Sequence, residues 1–242
     1  LNLQWGAPGL FKIGVSGFFL VGAYAFGILC GPPDASHLGG YGLPFLVGLV
    51  GSLVASGLVA FIVGIPTLRL REDYLAIVTI GIGSILQLIA LNARVLTGGS
   101  RGVTSIPRPL PDLVTGVFAR NLLLLAIMVV VVLALFGALE AMVRSPWGRV
   151  LKAIREDEQA AASLGKNAFS FRLQSFVIGS AIMGLGGALY ASFIGFISPE
   201  DFLPVLTFQI WSMLIVGGSG NNRGAMLGAV LMWAVWTLSG SV

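Results

Sequence analysis

The chain has 242 residues, of which 56% are hydrophobic and only 10% are charged, and its formal net charge is +4. A soluble domain of this length carries about a quarter charged residues, so the composition excludes an ordinary soluble protein and favours a helical membrane protein. In such a chain the positive charge belongs to membrane topology, and we expect no nucleic-acid partner. One cysteine (Cys30) and one histidine (His37) cannot form an internal disulfide or a Cys/His metal cluster.

Seven apolar segments are predicted to be membrane helices. The first five are long enough to cross a hydrocarbon core of about 30 Å, and the last two are marginal. The sequence therefore predicts an all-α fold, with one polytopic transmembrane helical bundle over residues 1–242. Because the chain opens at Leu1 in an apolar stretch, we expect at least one membrane segment upstream of it. The seven segments are Ile13–Cys30, Leu43–Ile65, Tyr74–Leu91, Asn121–Val143, Leu173–Ile197, Pro204–Gly217 and Ala225–Leu238.

The basic residues predict an orientation, because lysine and arginine collect in cytoplasmic loops. If the loop Arg144–Arg172 is cytoplasmic, ten basic residues fall on that side of the membrane and four on the other. The ten are Lys12, Arg69, Arg71, Arg144, Arg149, Lys152, Arg155, Lys166, Arg172 and Arg223. The four are Arg94, Arg101, Arg108 and Arg120.

The loop Arg144–Arg172 contains nine of the 24 charged residues and has strong helix signals. Ser145 and the proline after it predict the start of a helix that ends near Glu156. Asp157 is expected to cap a second short helix, which contains three alanines. Gly165 is placed to end that helix in the left-handed conformation. An apolar face is predicted from Val150, Leu151, Ile154, Ala161 and Leu164.

Two interpretations of this loop stay open. An ordinary basic loop lying on the lipid headgroups would explain its charges. Such a loop does not require three alanines followed by a glycine, whereas a short helix with a small-residue face suits docking into a groove of a partner protein. In the docking interpretation, Ala161 and Gly165 face that groove.

The stretch "QAAASLG" resembles the EAA loop of ABC-importer permeases, whose pattern is Glu-Ala-Ala, three residues and Gly. Gln159 stands here where the family has Glu. Four longer stretches resemble the LivM-type permeases of branched-chain amino-acid ABC importers, in the family's order and over nearly the whole chain. These stretches are "GFFLVGAYAFGIL", "LRLREDYLAIVTIGIGSI", "GRVLKAIREDEQAAASLGKNAFSFRLQSFVIGSAIMGLGGALYA" and "VGGSGNNRGAMLGA".

The resemblance implies a permease subunit in a prokaryotic inner membrane that translocates branched-chain or other neutral amino acids. Its implied partners are a related LivH-type permease, two cytoplasmic ABC ATPases and an extracytoplasmic solute-binding protein. ATP and Mg would be bound by the ATPases, with no cofactor in this chain. A similar permease for urea or short-chain amides and a non-transporting scaffold or receptor subunit remain alternatives. The implied ATPase-coupling residues are Arg149, Arg155, Glu156, Asp157, Glu158, Gln159, Ala160, Ala161, Leu164 and Gly165.

The motifs of an enzyme are missing from the sequence, and we expect no catalytic residues and no metal site. No G-x-x-x-x-G-K-[ST] phosphate-binding motif occurs, so any ATP hydrolysis is expected in a partner. Glu140 is the only acidic residue within an apolar segment, and it lies near a segment end, where its carboxylate can reach water.

Two glycine-rich breaks, "TGGSRG" (97–102) and "VGGSGNNRG" (216–224), follow the third and sixth apolar segments. Unwound backbone in corresponding places of a transporter often lines its pathway, because polar backbone groups are tolerated only beside a cavity. The alternative is that both breaks are simple turns. The candidate pathway residues are Thr97, Gly98, Gly99, Gly217, Gly218 and Ser219.

Overall fold

The fold is helical throughout the part of the chain that the computed structural model describes, which is residues 1–6, 9, 14–33, 39–70, 72–107, 117–218 and 220–240. Within these ranges the one β-type pairing is an isolated antiparallel bridge between Val103 and Ile197. The predicted all-α membrane bundle is confirmed. The helices are α1 (Asn2–Gly6), α2 (Val15–Cys30), α3 (Phe45–Thr67), α4 (Glu72–Asn92), α5 (Arg94–Thr97), α6 (Val117–Arg144), α7 (Pro146–Glu156), α8 (Glu158–Ser163), α9 (Ala168–Ile194), α10 (Pro204–Gly217) and α11 (Asn222–Leu238).

Each of the seven predicted segments forms a helix, and four of these, α3, α4, α6 and α9, are long and apolar enough to cross a membrane. The first segment forms a shorter apolar helix than the predicted Ile13–Cys30, whose first residue lies outside the described ranges. Helix α2 has 16 residues, which corresponds to about 24 Å. It begins only at Val15, where the backbone N–H of Gly14 donates a hydrogen bond to Thr79 Oγ1 in the third turn of α4.

Helices α2, α3 and α9 form the centre of the bundle, where α2 runs parallel to α9 and α3 runs antiparallel to both. The Phe18 and Phe176 rings pack edge to face, with centroids 5.8 Å apart. A Cβ atom on Gly22 would overlap the backbone of Gly184, so α2 and α9 touch directly. Helix α6 is peripheral, because 6% of its apolar span is buried, compared with 61% for α9.

The bundle has two ends, which we call the loop end and the opposite end. The loop end contains α1, α7, α8, the α3–α4 turn and the α10–α11 turn. There the Arg69 guanidinium lies 5.9 Å from the centroid of the Phe169 ring at the start of α9. The opposite end contains residues 93–107 and 195–203. Among the described basic residues, Arg94, Arg101 and Arg120 lie at the opposite end and the remaining ones at the loop end, as the orientation analysis expects.

Lys12, Arg71 and Arg108 lie outside the described residues, as does His37. Which end of the bundle faces the cytoplasm stays a prediction.

At the opposite end, the chain after α9 folds back into the bundle. Backbone hydrogen bonds of 2.9 and 3.0 Å join Val103 and Ile197, and Gln87 Nε2 donates to the Pro199 carbonyl at 3.0 Å. The chain then reaches Ser16, whose N–H donates to Thr207 Oγ1 at 3.0 Å. Helix α10 therefore begins inside the bundle, which explains why it has only 14 residues.

Candidate functional site

The charged loop at the loop end folds into the two predicted helices. Ser145 Oγ accepts a hydrogen bond from the Gly148 N–H, and proline is the first residue of α7. After α7 ends at Glu156, Asp157 Oδ1 accepts hydrogen bonds from the N–H groups of Gln159 (2.8 Å) and Ala160 (2.9 Å). The side chain of Asp157 thus caps α8 as predicted, because it satisfies N–H groups that a helix start leaves free.

Gly165 ends α8 in the left-handed conformation, with a φ of 74°. The Gly165 N–H donates to the Ala162 carbonyl at 2.9 Å, and the Lys166 N–H donates to the Ala161 carbonyl at 3.1 Å. These two bonds form a Schellman motif, which favours glycine at this position because a Cβ atom is disfavoured at positive φ. The predicted helix end is confirmed.

Ala161 is buried against Ile154 and Ala168 of the same chain, which confirms its place on the predicted apolar face. Ala161 therefore does not face a partner's groove, contrary to the docking interpretation. Leu164 does not join the buried apolar face, because its side chain is 79% exposed. Leu164 is the C-terminal cap of α8. Its side chain therefore no longer follows the helical period that places Ala161 in the interior. The predicted burial of Leu151 and Ile154 is confirmed.

The remaining coupling candidates form an exposed surface at the loop end. Leu164 is the one large hydrophobic side chain that is exposed within residues 144–172, all of which are described. An ion pair of 2.9 Å between Arg172 and Glu158 attaches α8 to α9. This surface therefore presents one large apolar side chain among polar and small ones on a short helix. The other exposed candidates are Arg149, Arg155, Glu156, Asp157, Glu158, Gln159, Ala160 and Gly165.

A group of polar side chains and one backbone N–H, which we call the polar junction, connects four elements beside the loop. It consists of Asn2 in α1, Gly220 in the α10–α11 turn, Asn222 at the start of α11, and Glu140 and Arg144 in α6. Asn2 Nδ2 donates to Asn222 Oδ1 at 2.6 Å, and Asn222 Nδ2 donates to Glu140 Oε2 at 3.3 Å. The junction lines a polar cavity of about 220 Å³ together with Lys152 and Asn221.

The hydrogen bonds of Asn2 and Asn222 were not predicted from the sequence, where Glu140 stands only as an isolated acid. Two features of the sequence could have drawn attention to these asparagines. Asn2 is polar in an apolar opening, and two consecutive asparagines stand in "GGSGNNRG". Since these residues are 220 positions apart, nothing in the sequence alone pairs them.

The first glycine-rich break forms a compact turn at the opposite end. Thr97 Oγ1 donates to the carbonyl oxygens of Ala90 and Ala93, and Gly98, Gly99 and Gly102 all have positive φ. A Cβ atom on Gly102 would overlap the Ile197 carbonyl, so the turn packs directly on the segment that follows α9.

The second break forms the α10–α11 turn at the loop end. A Cβ atom on Gly217 would overlap the carbonyl of Gly224, so the two helices meet backbone to backbone. Gly218 is exposed, and Ser219 lies outside the described residues. The two breaks thus stand at opposite ends of α9 and are not brought together. Their role in a pathway stays a prediction.

Comparison with known proteins identifies the family. Residues 1–242 match the family described as the branched-chain amino acid transport system permease component. The chain belongs to this permease family. With its apolar helices, this membership makes it a multi-pass membrane protein.

Several curated relatives carry matching descriptions. The high-affinity branched-chain amino acid transport system permease protein LivM of Salmonella typhimurium is 35% identical, with 96% of this chain and 58% of the relative covered. LivM of Escherichia coli is 34% identical with the same coverage. The LivH permease of Salmonella typhimurium is 32% identical over 39% of this chain and 30% of its own length. The chain thus spans less than two thirds of these relatives. No solved structure matches it.

Proposed function

We propose that the chain is a membrane subunit of an ATP-binding-cassette importer that moves branched-chain or other neutral amino acids across a prokaryotic inner membrane. Its partners in this proposal are a LivH-type permease, two cytoplasmic ATPases that bind ATP and Mg, and an extracytoplasmic solute-binding protein. Family membership and the printed descriptions of the LivM relatives support the substrate class. The partial similarity to LivH supports pairing with a related permease.

The observation that carries the proposal is the surface of α8 at the loop end. A docking helix must present contacts outward and transmit force inward. Leu164 and Gly165 are exposed, while the same short helix is held inward by Ala161 and by the Glu158–Arg172 ion pair. Closure of the ATPases on ATP would thus pull on α8 and, through its attachment, on the central helix α9.

Helix α9 is suited to pass this motion into the membrane. It packs against both α2 and α3, and Ser56 Oγ of α3 donates a hydrogen bond to the Phe18 carbonyl of α2 at 3.2 Å. The three helices therefore move as a unit, because their close-packed interior transmits displacement. An aliphatic amino acid suits a route between such helices, since its side chain needs an apolar wall and its charged groups can be met by backbone dipoles.

Purification of the complete complex with its solute-binding protein, followed by ligand identification on that binding protein, tests the proposal. We expect the chain to co-purify with a second permease and two ATPases, and the bound ligand to be leucine, isoleucine, valine or another neutral amino acid. Urea or a short amide as the ligand would contradict the substrate class. A chain that purifies without ATPases under the same conditions would contradict the importer and favour a scaffold.

A further inference from the structure

We propose that the polar junction transmits the motion of the α7–α8 loop to the α10–α11 hairpin, with Asn222 as the positioning residue at its centre. The proposal rests on the proposed function, because only an ATP-driven permease has a loop motion to transmit. It assigns a role in coupling to Asn2, Glu140 and Asn222, none of which belongs to the loop itself.

The hydrogen bonds of the junction form a directed chain. Asn2 Oδ1 accepts from the Gly220 N–H at 2.7 Å, while its Nδ2 donates to Asn222 Oδ1 at 2.6 Å. Asn222 Nδ2 in turn donates to Glu140 Oε2 at 3.3 Å. Each amide therefore uses both its oxygen and its nitrogen. Neither amide can turn over without losing two hydrogen bonds, so the hairpin is fixed to α1 and α6 at the same time.

The loop reaches the junction by two routes. At the start of α7, Arg144 Nη2 donates to Glu140 Oε1 at 2.6 Å, and Arg149 Nη1 donates to the Arg144 carbonyl at 3.4 Å. At the end of α7, Arg155 Nη1 donates to the Gly6 carbonyl at 2.9 Å, which ties the helix to α1 and so to Asn2. Both routes meet at Asn222.

The packing around the junction explains why these bonds matter for motion. Helix α7 is part of the loop, and its buried residues Leu151 and Ile154 pack it against the rest of the chain. Helix α11, all of whose residues are described, has one buried residue, Gly228, and α6 is largely exposed. Elements with so little buried surface are the ones that shift at low energetic cost. The 220 Å³ cavity beside the junction leaves room for that shift.

The polar chemistry fits the same role. Glu140 lies near the loop end of α6, where one carboxylate oxygen binds Arg144 of the same helix and the other accepts from Asn222 of the hairpin. A shift of the hairpin therefore changes the hydrogen bonding of the Glu140 carboxylate.

A donor–acceptor exchange tests the proposal in proteoliposomes that contain the full-length permeases, the ATPases and the solute-binding protein, with L-leucine as the probe. Asn222→Asp replaces the amide that donates to Glu140 by an oxygen, which breaks the bond and places two carboxylates together. Adding Glu140→Gln supplies an amide that donates in the reverse direction. The matched control is Asn92→Asp at the opposite end, where an exposed amide donates to the Leu88 carbonyl of its own helix.

We expect Asn222→Asp to raise the ATP hydrolysed per leucine transported by about fivefold or more, with the ATPases still bound. Adding Glu140→Gln should bring the ratio back to within about twofold of the wild type. The control should not change it. A structural defect alone would lower the amount of complex and would not be reversed by the second change.

Three results would overturn the proposal. Asn222→Asp could leave the ratio of ATP to leucine at its wild-type value, or Glu140→Gln could fail to restore it. The control Asn92→Asp could raise the ratio as much as Asn222→Asp does. In each case, if the wild-type complex still imports leucine when ATP is supplied, the proposed function is retained and only the junction proposal is rejected. If the wild-type complex itself imports none, the proposed function fails and the junction proposal falls with it.

Discussion

Replacing Leu164 by alanine should weaken the binding of the ATPases. The side chain is 79% exposed in the isolated chain, so a partner that covers it removes most of its apolar surface from water. Complete burial of a leucine side chain contributes about 1.5–3 kcal/mol, and alanine keeps one of its four carbon atoms. The expected loss is therefore about 1–2 kcal/mol, which raises the dissociation constant of the ATPases roughly 5- to 30-fold.

Titration of the detergent-solubilised permease pair with labelled ATPase measures this constant. The matched control is Leu238→Ala, since Leu238 is 87% exposed but is the last residue of α11, which begins at the loop end. The control should bind the ATPases as the wild type does. Equal dissociation constants for Leu164→Ala and the wild type would refute the docking surface, and contact of the loop with lipid headgroups would then explain its charges better.

Three further predictions concern the same loop. Ala161→Trp should lower the free energy of unfolding by about 1–3 kcal/mol, because the indole overpacks the chain itself, and an unchanged melting temperature would contradict this. Gly165→Val should cost at least about 1–2 kcal/mol because its φ is 74°, whereas Gly137→Val, at a helical position with open space around it, should cost less in the same melting assay. A cysteine at Ser163 should resist a membrane-impermeant thiol reagent in intact cells, because the loop is expected to face the cytoplasm. Rapid labelling would show that the loop faces the outside instead.

The loop was the most predictable part of the fold because its signals are local. Ser145, Asp157 and Gly165 each act on backbone groups within four residues, so their effect can be read from the sequence alone. The faces of the loop were less predictable. The helical period places Leu164 on the apolar face, but α8 ends at Ser163, and the Leu164 side chain is exposed to solvent.

Contacts between distant parts of the chain account for the other differences. The hydropathy of the first segment suggested a full span, yet the start of α2 depends on Thr79 in another helix. The Asn2–Asn222 hydrogen bond joins residues at the two ends of the chain, and no periodic pattern encodes it. Capping residues and hydropathy are thus sufficient to predict where the helices lie in the sequence, whereas the polar junction depends on tertiary packing.

The most direct test of the proposed function is ATP-dependent uptake of radiolabelled L-leucine into proteoliposomes that contain the complete complex and its solute-binding protein. We expect uptake to require ATP, the binding protein and this chain, and unlabelled leucine to compete while unlabelled urea does not. Uptake that continues without ATP, or without this chain, would contradict the proposed function.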